Sequence, residues 1–323
     1  MKLGRATLAF VLLLVLVGGG LLIAPWYGSA DRGAKTIDIT VKPGASLNAV
    51  AEQLEASELV TAGRHFRILA RVLGGRRPVK TGVYRFARGD GWGNYLRKLQ
   101  AGDVLSYRIT IPEGWPAVLV VDRLRAEMRL TGSVAVPAEG SVLPDTYDFQ
   151  AGEPRAAVLK RMQAAMTKTL AELWKARKPA TVAKSPREAI ILASIVEKET
   201  GKASERRLVA GVYTNRLKQG IKLDADPTVI YPYTQGRPLG RRIRQSQLKA
   251  DNGYNTYLKP GLPKGPIANP GRASIAAVLN PEPTRALYFV ADGTGGHVFA
   301  DTLSQHNANV AKWFAIRRAR GEM

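Results

Sequence analysis

The 323-residue chain contains no cysteine. That absence excludes a disulfide framework, thiolate zinc sites and cysteine nucleophiles together. Histidine is almost as scarce: His65, His297 and His306 are the only three, and no two stand in an HExxH or HxH spacing. A metal centre would need carboxylate-dominated ligation that no spacing suggests, so none is expected. Acids are outnumbered too, 26 Asp and Glu against 48 Lys and Arg, which leaves a net charge of +22. Such an excess suits nucleic acid, but here it is dispersed, as in GRRP at 75–78 and RRIR at 241–244. No helix-turn-helix, zinc-finger or RNP pattern accompanies it. Dispersed base fits an anionic lipid face or an acidic polymer equally well. Repeats and low-complexity segments are also lacking, and 45% hydrophobic content allows two domains with full cores.

The amino terminus is what the chain has in abundance. It runs uncharged from 6 to 30, with Lys2 and Arg5 before the run and Trp26-Tyr27 at its far end. This reads as a membrane-spanning anchor with an interfacial aromatic belt. A signal peptide cleaved near Gly28 and Ala30 is the alternative, but the apolar run exceeds the usual h-region. Basic residues on the short side predict a cytoplasmic tail at 1–5, an anchor at 6–27, and the remaining chain across the membrane, out of reach of DNA.

Beyond the anchor the pattern predicts an α+β fold. Ile37, Ile39 and Val41 alternate as a strand closing at Pro43-Gly44, a helix follows Ser46, a second runs over 64–73, and GVYRF at 82–86 is a returning strand. This strand-helix-helix-strand unit resembles the LysM-like module of cell-wall proteins, a generic α+β unit being the alternative, and it is assigned to 36–102. A larger mixed α+β domain is assigned to 103–323. A helix over 92–99 leads to a strand over 105–111, and a long amphipathic helix at 154–177 buries Val158, Leu159, Met162, Met166, Leu170, Leu173 and Trp174.

Ser185-Pro186-Arg187-Glu188 forms a capping box with proline at the first helical position. Gly201 stands at the C′ stop. The helix between them is apolar on more than one side, yet its last turn carries Glu197 and Glu199. A carboxylate there opposes the macrodipole by up to about 1 kcal/mol. Apolar neighbours and a negative dipole end raise a carboxyl pKa, and an acid lifted toward neutrality is a proton donor of the kind glycosidic cleavage needs. The two acids lie about 200° apart on the helix, so one faces a site and the other faces solvent or a salt bridge. A second helix capped by Ser204 and ended by Gly220 brings Asn215 and Arg216 toward a short strand over 221–223 and the run DADPTVIY. Tyrosines and asparagines in YNTY (254–257), fixed by the stiff GLPKGPIANPG (261–271), suit a sugar groove. Singly, each is as readily a turn residue, and Asp226 before its proline reads equally as a turn cap. His297 and His306 read as structural.

Seven motifs in one order, EGSVLPDTYDF, LASIVEKETG, VYTNRL, LDADPTVIY, YNTY, GLPKGPIANPG and LYFVADGTGGHVFADTLSQHN, resemble the YceG-like family of endolytic murein transglycosylases. The resemblance implies a single-span inner-membrane protein, N-terminus cytoplasmic, with a LysM-like subdomain and a periplasmic catalytic domain. It implies cofactor-free cleavage of MurNAc-GlcNAc bonds in nascent peptidoglycan, giving 1,6-anhydroMurNAc ends and limiting strand length. On the match Glu199 is the catalytic acid, with Glu197 the reserve candidate; beside it, Asp226, Tyr254, Asn255 and Tyr257 are expected to hold the sugars or orient the acid. Partners so implied are glycan strands, the membrane and peptidoglycan synthases. A muramidase using Asp224 or Asp226 as second carboxylate, and a wall-binding scaffold without activity, are the competing readings. Ser141, Val142 and Lys264 depart from the family pattern and bear on the outer groove.

Overall fold

The computed structural model describes residues 2–28 and 35–322; Met1 of the expected tail and Ala30 of the alternative cleavage site lie outside them. The chain divides into two units, Met1–Tyr107 with Phe149–Ala151, and Arg108–Asp148 with Gly152–Met323.

The first unit opens with α1 (Lys2–Tyr27), whose Thr7–Tyr27 stretch of 21 residues has a mean hydropathy of 2.7 and is long and apolar enough to cross a membrane. Then come β1 (Thr36–Val41), α2 (Leu47–Ala56), α3 (Gly63–Leu73), β2 (Gly82–Ala87) and α4 (Trp92–Ala101). β1 and β2 pair antiparallel with Ile39 opposite Tyr84. Ser46 caps α2 by accepting a hydrogen bond from the Ala49 amide, as its side chain leads one to expect. Val50, Leu54, Phe66, Leu69, Tyr84, Phe86, Tyr95 and Leu99 close into one core. The sequence reading anticipates these elements.

The chain crosses between the units in β3 (Tyr107–Thr110) and β4 (Thr146–Phe149). The second unit continues with α5 (Ala117–Ala126), α6 (Arg155–Lys175), α7 (Pro186–Glu199), a 3-10 turn at Ala203–Glu205, α8 (Arg206–Lys218), α9 (Asp226–Thr234), α10 (Gln245–Leu248), α11 (Arg272–Leu279), the antiparallel pair β5 (Tyr288–Ala291) and β6 (His297–Ala300), and α12 (Leu303–Ala319). Mixed α and β content is thus observed, with two-stranded sheets only among the described residues. α7 is the axis of this unit, every residue from Ala189 to Val196 being buried, and it packs on α6, α8, α9 and α11.

Three local expectations need correction. No strand forms over 221–223, because the Arg216 guanidinium takes the Lys222 and Leu223 carbonyls that a ladder would use. Ser204 does not cap α8; it sits inside the 3-10 turn that feeds the helix. The turn-cap alternative for Asp226 does not hold either: the residue begins α9, with Pro227 following it where a helix needs no amide hydrogen.

Gly211 of α8 explains how closely the 282–284 loop approaches. A Cβ there would lie 2.5 Å from the Glu282 carbonyl oxygen and 2.9 Å from Thr284 Cγ2. Gly211→Val is expected to cost about 1–3 kcal/mol in urea unfolding; an unchanged midpoint would show that the loop yields.

Candidate active site

Ser185 caps α7 as its sequence leads one to expect, its Oγ accepting from the Glu188 amide at 3.2 Å, but the expected capping box does not close: Glu188 Oε2 accepts from the Lys184 amide at 2.7 Å, one residue before the cap. It ends at Glu199, with Thr200 as C-cap and Gly201 next. Midway, Ser194 Oγ donates to the Ile191 carbonyl and accepts from the Ile267 amide at 3.1 Å, tying the 261–271 loop to the helix.

The two acids of the last turn meet opposite fates. Glu197 is satisfied: its Oε2 accepts from the Gly271 amide at 2.8 Å, and its Oε1 lies 3.9 Å from Arg206 Nη2, which also pairs with Glu113 at 3.6 Å. Gly271 is the N-cap of α11, so Glu197 fastens one helix end to another. Glu199 faces a cavity of about 490 Å³ lined by Tyr213, Arg216, Asp224, Asp226, Tyr257, Tyr288, Phe289 and His306. Its Oε1 is shielded from solvent and has no hydrogen-bond partner among the described residues. Burial first, and the Asp226 charge second, push its pKa up to about 7 against the lowering effect of a hydrogen bond from the Tyr213 hydroxyl.

Around Glu199 the loops are fixed by side chains rather than by sheet. Arg216 donates through Nε to the Leu287 carbonyl at 2.6 Å and through Nη1 to Lys222, Leu223 and Asp224 Oδ2 at 2.9, 3.1 and 3.2 Å. Its guanidinium lies 5.1 Å from the Tyr288 ring centre. Thr256 Oγ1 accepts from the Ala225 amide and bonds Thr228 Oγ1 at 2.9 Å, which sets the start of α9 against the YNTY loop. Tyr257 Oη then donates to Asp226 Oδ1 at 2.7 Å.

Glu199, Asp226 and Tyr257 therefore share one cavity. Tyr254 and Asn255 are not among its lining residues. Asn255 is buried, its Nδ2 donating to the Gln247, Leu248 and Ala250 carbonyls and its Oδ1 accepting from the Tyr257 amide. No free polar edge is left for a ligand, so its place is in the loop's framework. Tyr254 packs 4.9 Å from Tyr231, and Lys264 lies over its outer face at 4.8 Å, with Nζ on the Asn252 carbonyl. That is what the lysine departing from the family pattern does.

Sequence reasoning missed three groups. His306, read as structural, lines the cavity with its Nδ1 buried and unpartnered, stacked on Tyr288 at 5.1 Å. Burial and the Arg216 charge hold it below the usual histidine range. Tyr213 and Arg216 were legible only as helix residues three apart; that spacing puts them on one face, the signal that could have found them. Glu139, in the first family-like motif, accepts from the Ala117 amide, Asn269 Nδ2 and Tyr231 Oη, and burial raises it to about 7. Tyr231 in turn lines a second cavity of about 380 Å³ with Trp115, Pro227 and Lys198, the last two being sequence neighbours of Asp226 and Glu199.

The raised carboxyl has a thermodynamic signature. Folded Glu199 keeps its proton to about pH 7, whereas an unfolded glutamate releases it near 4.5. The native state thus binds the extra proton between these values, and stability from this group is full below about 4.5 and lost as pH rises through 7. Glu199→Gln, which cannot ionise, is expected to gain on the wild type across that window by about 3 kcal/mol at pH 8 and nothing at pH 4. Urea midpoints at the two pH values read the difference directly.

Comparison with known proteins gives the same neighbourhood. The YceG-like family model matches residues 39–312. An endolytic murein transglycosylase of Bacillus subtilis is 25% identical over 94% of this chain and 92% of its own length. One from Streptococcus pneumoniae is 27% identical over 86% of this chain, which spans only 58% of that relative. The crystal structure of a yceG-like protein from Listeria monocytogenes, 26% identical, superposes with a TM-score of 0.51 over 86% of this chain and 99% of that one. With its helices, its two-stranded sheets and 274 consecutive positions under one model, the chain belongs to the YceG-like family.

Proposed function

We propose that the chain is an endolytic murein transglycosylase whose acid is Glu199. The observation that carries this reading is an unpartnered carboxyl oxygen, shielded from solvent and facing a cavity, on a group whose pKa stands at about 7. Such a group holds a proton at neutral pH and can release it. The names of the relatives supply the substrate, murein.

In this mechanism protonated Glu199 donates to the oxygen bridging MurNAc and GlcNAc as the bond at the MurNAc anomeric carbon breaks. The N-acetyl carbonyl of the same sugar stabilises the charge that develops there. The C6 hydroxyl then attacks the anomeric carbon, and its proton returns to Glu199. A 1,6-anhydro ring forms, no water is consumed, and the acid is regenerated. Tyr213 orients the carboxyl through the hydrogen bond of its hydroxyl. Asp226, held by Tyr257, keeps Glu199 protonated through its charge and offers an acceptor to sugar hydroxyls. Tyr254 and Asn255 shape the loop that carries Tyr257. Glu197 has a structural part, consistent with its two partners.

The same reading makes α1 a single-pass anchor in the inner membrane, with Lys2 and Arg5 on the cytoplasmic side and both units periplasmic. It makes 36–102 a LysM-like glycan-binding subdomain. It assigns the enzyme to nascent strands, whose length it limits beside the synthases. Because Asp224 and Asp226 both line the cavity, a muramidase with a second carboxylate is the rival chemistry.

Product mass decides between them. Purified sacculi incubated with the chain are expected to yield anhydro-ended muropeptides; reducing ends would establish hydrolysis, and intact sacculi a scaffold. Glu199→Gln should lower the rate by about 10²–10⁴-fold. Asp226→Asn removes a charge that raises Glu199, so the acid loses its proton earlier. The alkaline limb of kcat/KM should therefore move to lower pH in that variant, and an unmoved limb would remove Asp226 from the electrostatics of the site.

A further inference from the structure

The first unit carries a surface that takes no part in the cavity around Glu199. α3 buries Phe66, Leu69 and Ala70, yet on its outer side Ile68, Val72 and Leu73 are 53%, 73% and 45% exposed. Scattered exposed apolar residues need no explanation, but three within six positions of one short helix form a patch. Arg64, Ile68, Arg71 and Val72 follow the spacing of a single helical face, so the patch is flanked by cations. Arg76 and Arg77 extend it past the turn at Gly75. Among the described residues the unit's ion pairs are Arg85–Asp38 and Arg88–Glu58. Arg64, Arg71, Arg76 and Arg77 are outside both.

These arginines also line a hollow. A cavity of about 550 Å³ is walled by Arg71, Arg76, Arg77, Ser46 and Gln100. Gln100 Nε2 holds the turn by donating to the Gly74 and Arg77 carbonyls at 3.2 and 3.0 Å. The cationic wall is therefore fixed rather than trailing.

The position of this surface is set by the anchor. Trp26, in the last turn of α1, packs on the unit's core. A Cβ on Gly93 would lie 2.7 Å from Trp26 Cε2 and Nε1, and one on Gly74 3.2 Å from its Cη2. Gly74 is the C-cap of α3. The end of α3 thus abuts the place where the span stops, the level at which an indole sits in the membrane interface. A short helix with apolar residues between arginines at that level has the composition of an interfacial element.

We propose that α3 and the 74–77 turn bind the surface of the membrane that α1 crosses. Ile68, Val72 and Leu73 enter the boundary between headgroups and acyl chains. Arg71, Arg76 and Arg77 bind the phosphates of anionic phospholipids, one of them seated in the hollow. The occupant is a phospholipid rather than a protein, because the patch is continuous with the anchor's own exit from the bilayer and its charge complements phosphate.

The absence of cysteine makes the test clean. Full-length Val72→Cys, labelled with an environment-sensitive fluorophore, is placed in nanodiscs of phosphatidylcholine alone or of equimolar phosphatidylcholine and phosphatidylglycerol. Blue-shifted emission, quenched by a lipid-borne quencher, is expected in the mixed discs. Adding Arg71→Gln, Arg76→Gln and Arg77→Gln should reduce the immersion equilibrium there by about a hundredfold, roughly fivefold per guanidinium. Because all three are exposed, the melting temperature should hold. Aqueous emission in both discs overturns the proposal. Equal immersion in both discs, untouched by the triple substitution, also overturns it, since the arginines would then bind no phosphate.

Discussion

The burial of one carboxyl at the end of an apolar helix governs the second unit. α7 runs through the core because Ala189 to Val196 offer no polar side except Ser194, which finds its own partners. Its last turn emerges where its carbonyls point, an unfavourable place for negative charge. Glu197 escapes that conflict by accepting a backbone amide and lying near Arg206. Glu199 does not, and one of its oxygens is left without a partner. Two acids on one turn, under the same dipole, are thus separated by their neighbours into a tie and a proton reservoir. The cost of the second is carried by the packing of the helix that presents it.

Precision around that carboxyl comes from buried polar side chains, because the sheets are too small to supply it. Arg216 replaces a strand by gathering four acceptors from two chain segments. Thr228 with Thr256 joins α9 to the YNTY loop, and Asn269 joins the 142 and 115 segments through Val142 and Trp115. Each of these groups is buried and bonded, so removing one would strand its partners as well as itself. The loops consequently behave as rigid walls, which a proton donor needs if the bond it attacks must arrive at a fixed distance.

This also explains what was legible in the sequence. Local chemistry wrote the caps of α2 and α7, the alternation of β1 and β2, and the stripe of α6, and those elements stand where the pattern puts them. The acids were legible because they violate the pattern of their helix. The partition between them followed from the 3.6-residue period, but which one was satisfied depended on Gly271 and Arg206, far off in the chain. α9 was hidden by Pro232 within it and by β-branched residues at its start. The 221–223 strand failed because a competing donor, Arg216, is supplied by tertiary structure. His306 was hidden for a related reason: α12 buries none of its residues fully, so no stripe marks the face that meets the cavity.

The anchor and the α3 surface do different physical work. On the proposed anchoring, the 21-residue Thr7–Tyr27 stretch already holds the chain in a bilayer essentially irreversibly, so lipid contact by α3 would add nothing to retention. What a lone helix leaves undetermined is rotation about its own axis and the tilt of whatever it carries. A second contact at a distance from that axis removes both freedoms. The close packing of Trp26 on Gly74 and Gly93 makes the two contacts parts of one rigid unit, since any side chain larger than hydrogen at 93 would collide with the indole. On the proposed lipid contact the glycines are the feature that would turn an anchor into an orienting device, and the arginines outside the unit's ion pairs would give that device its preference for anionic lipid.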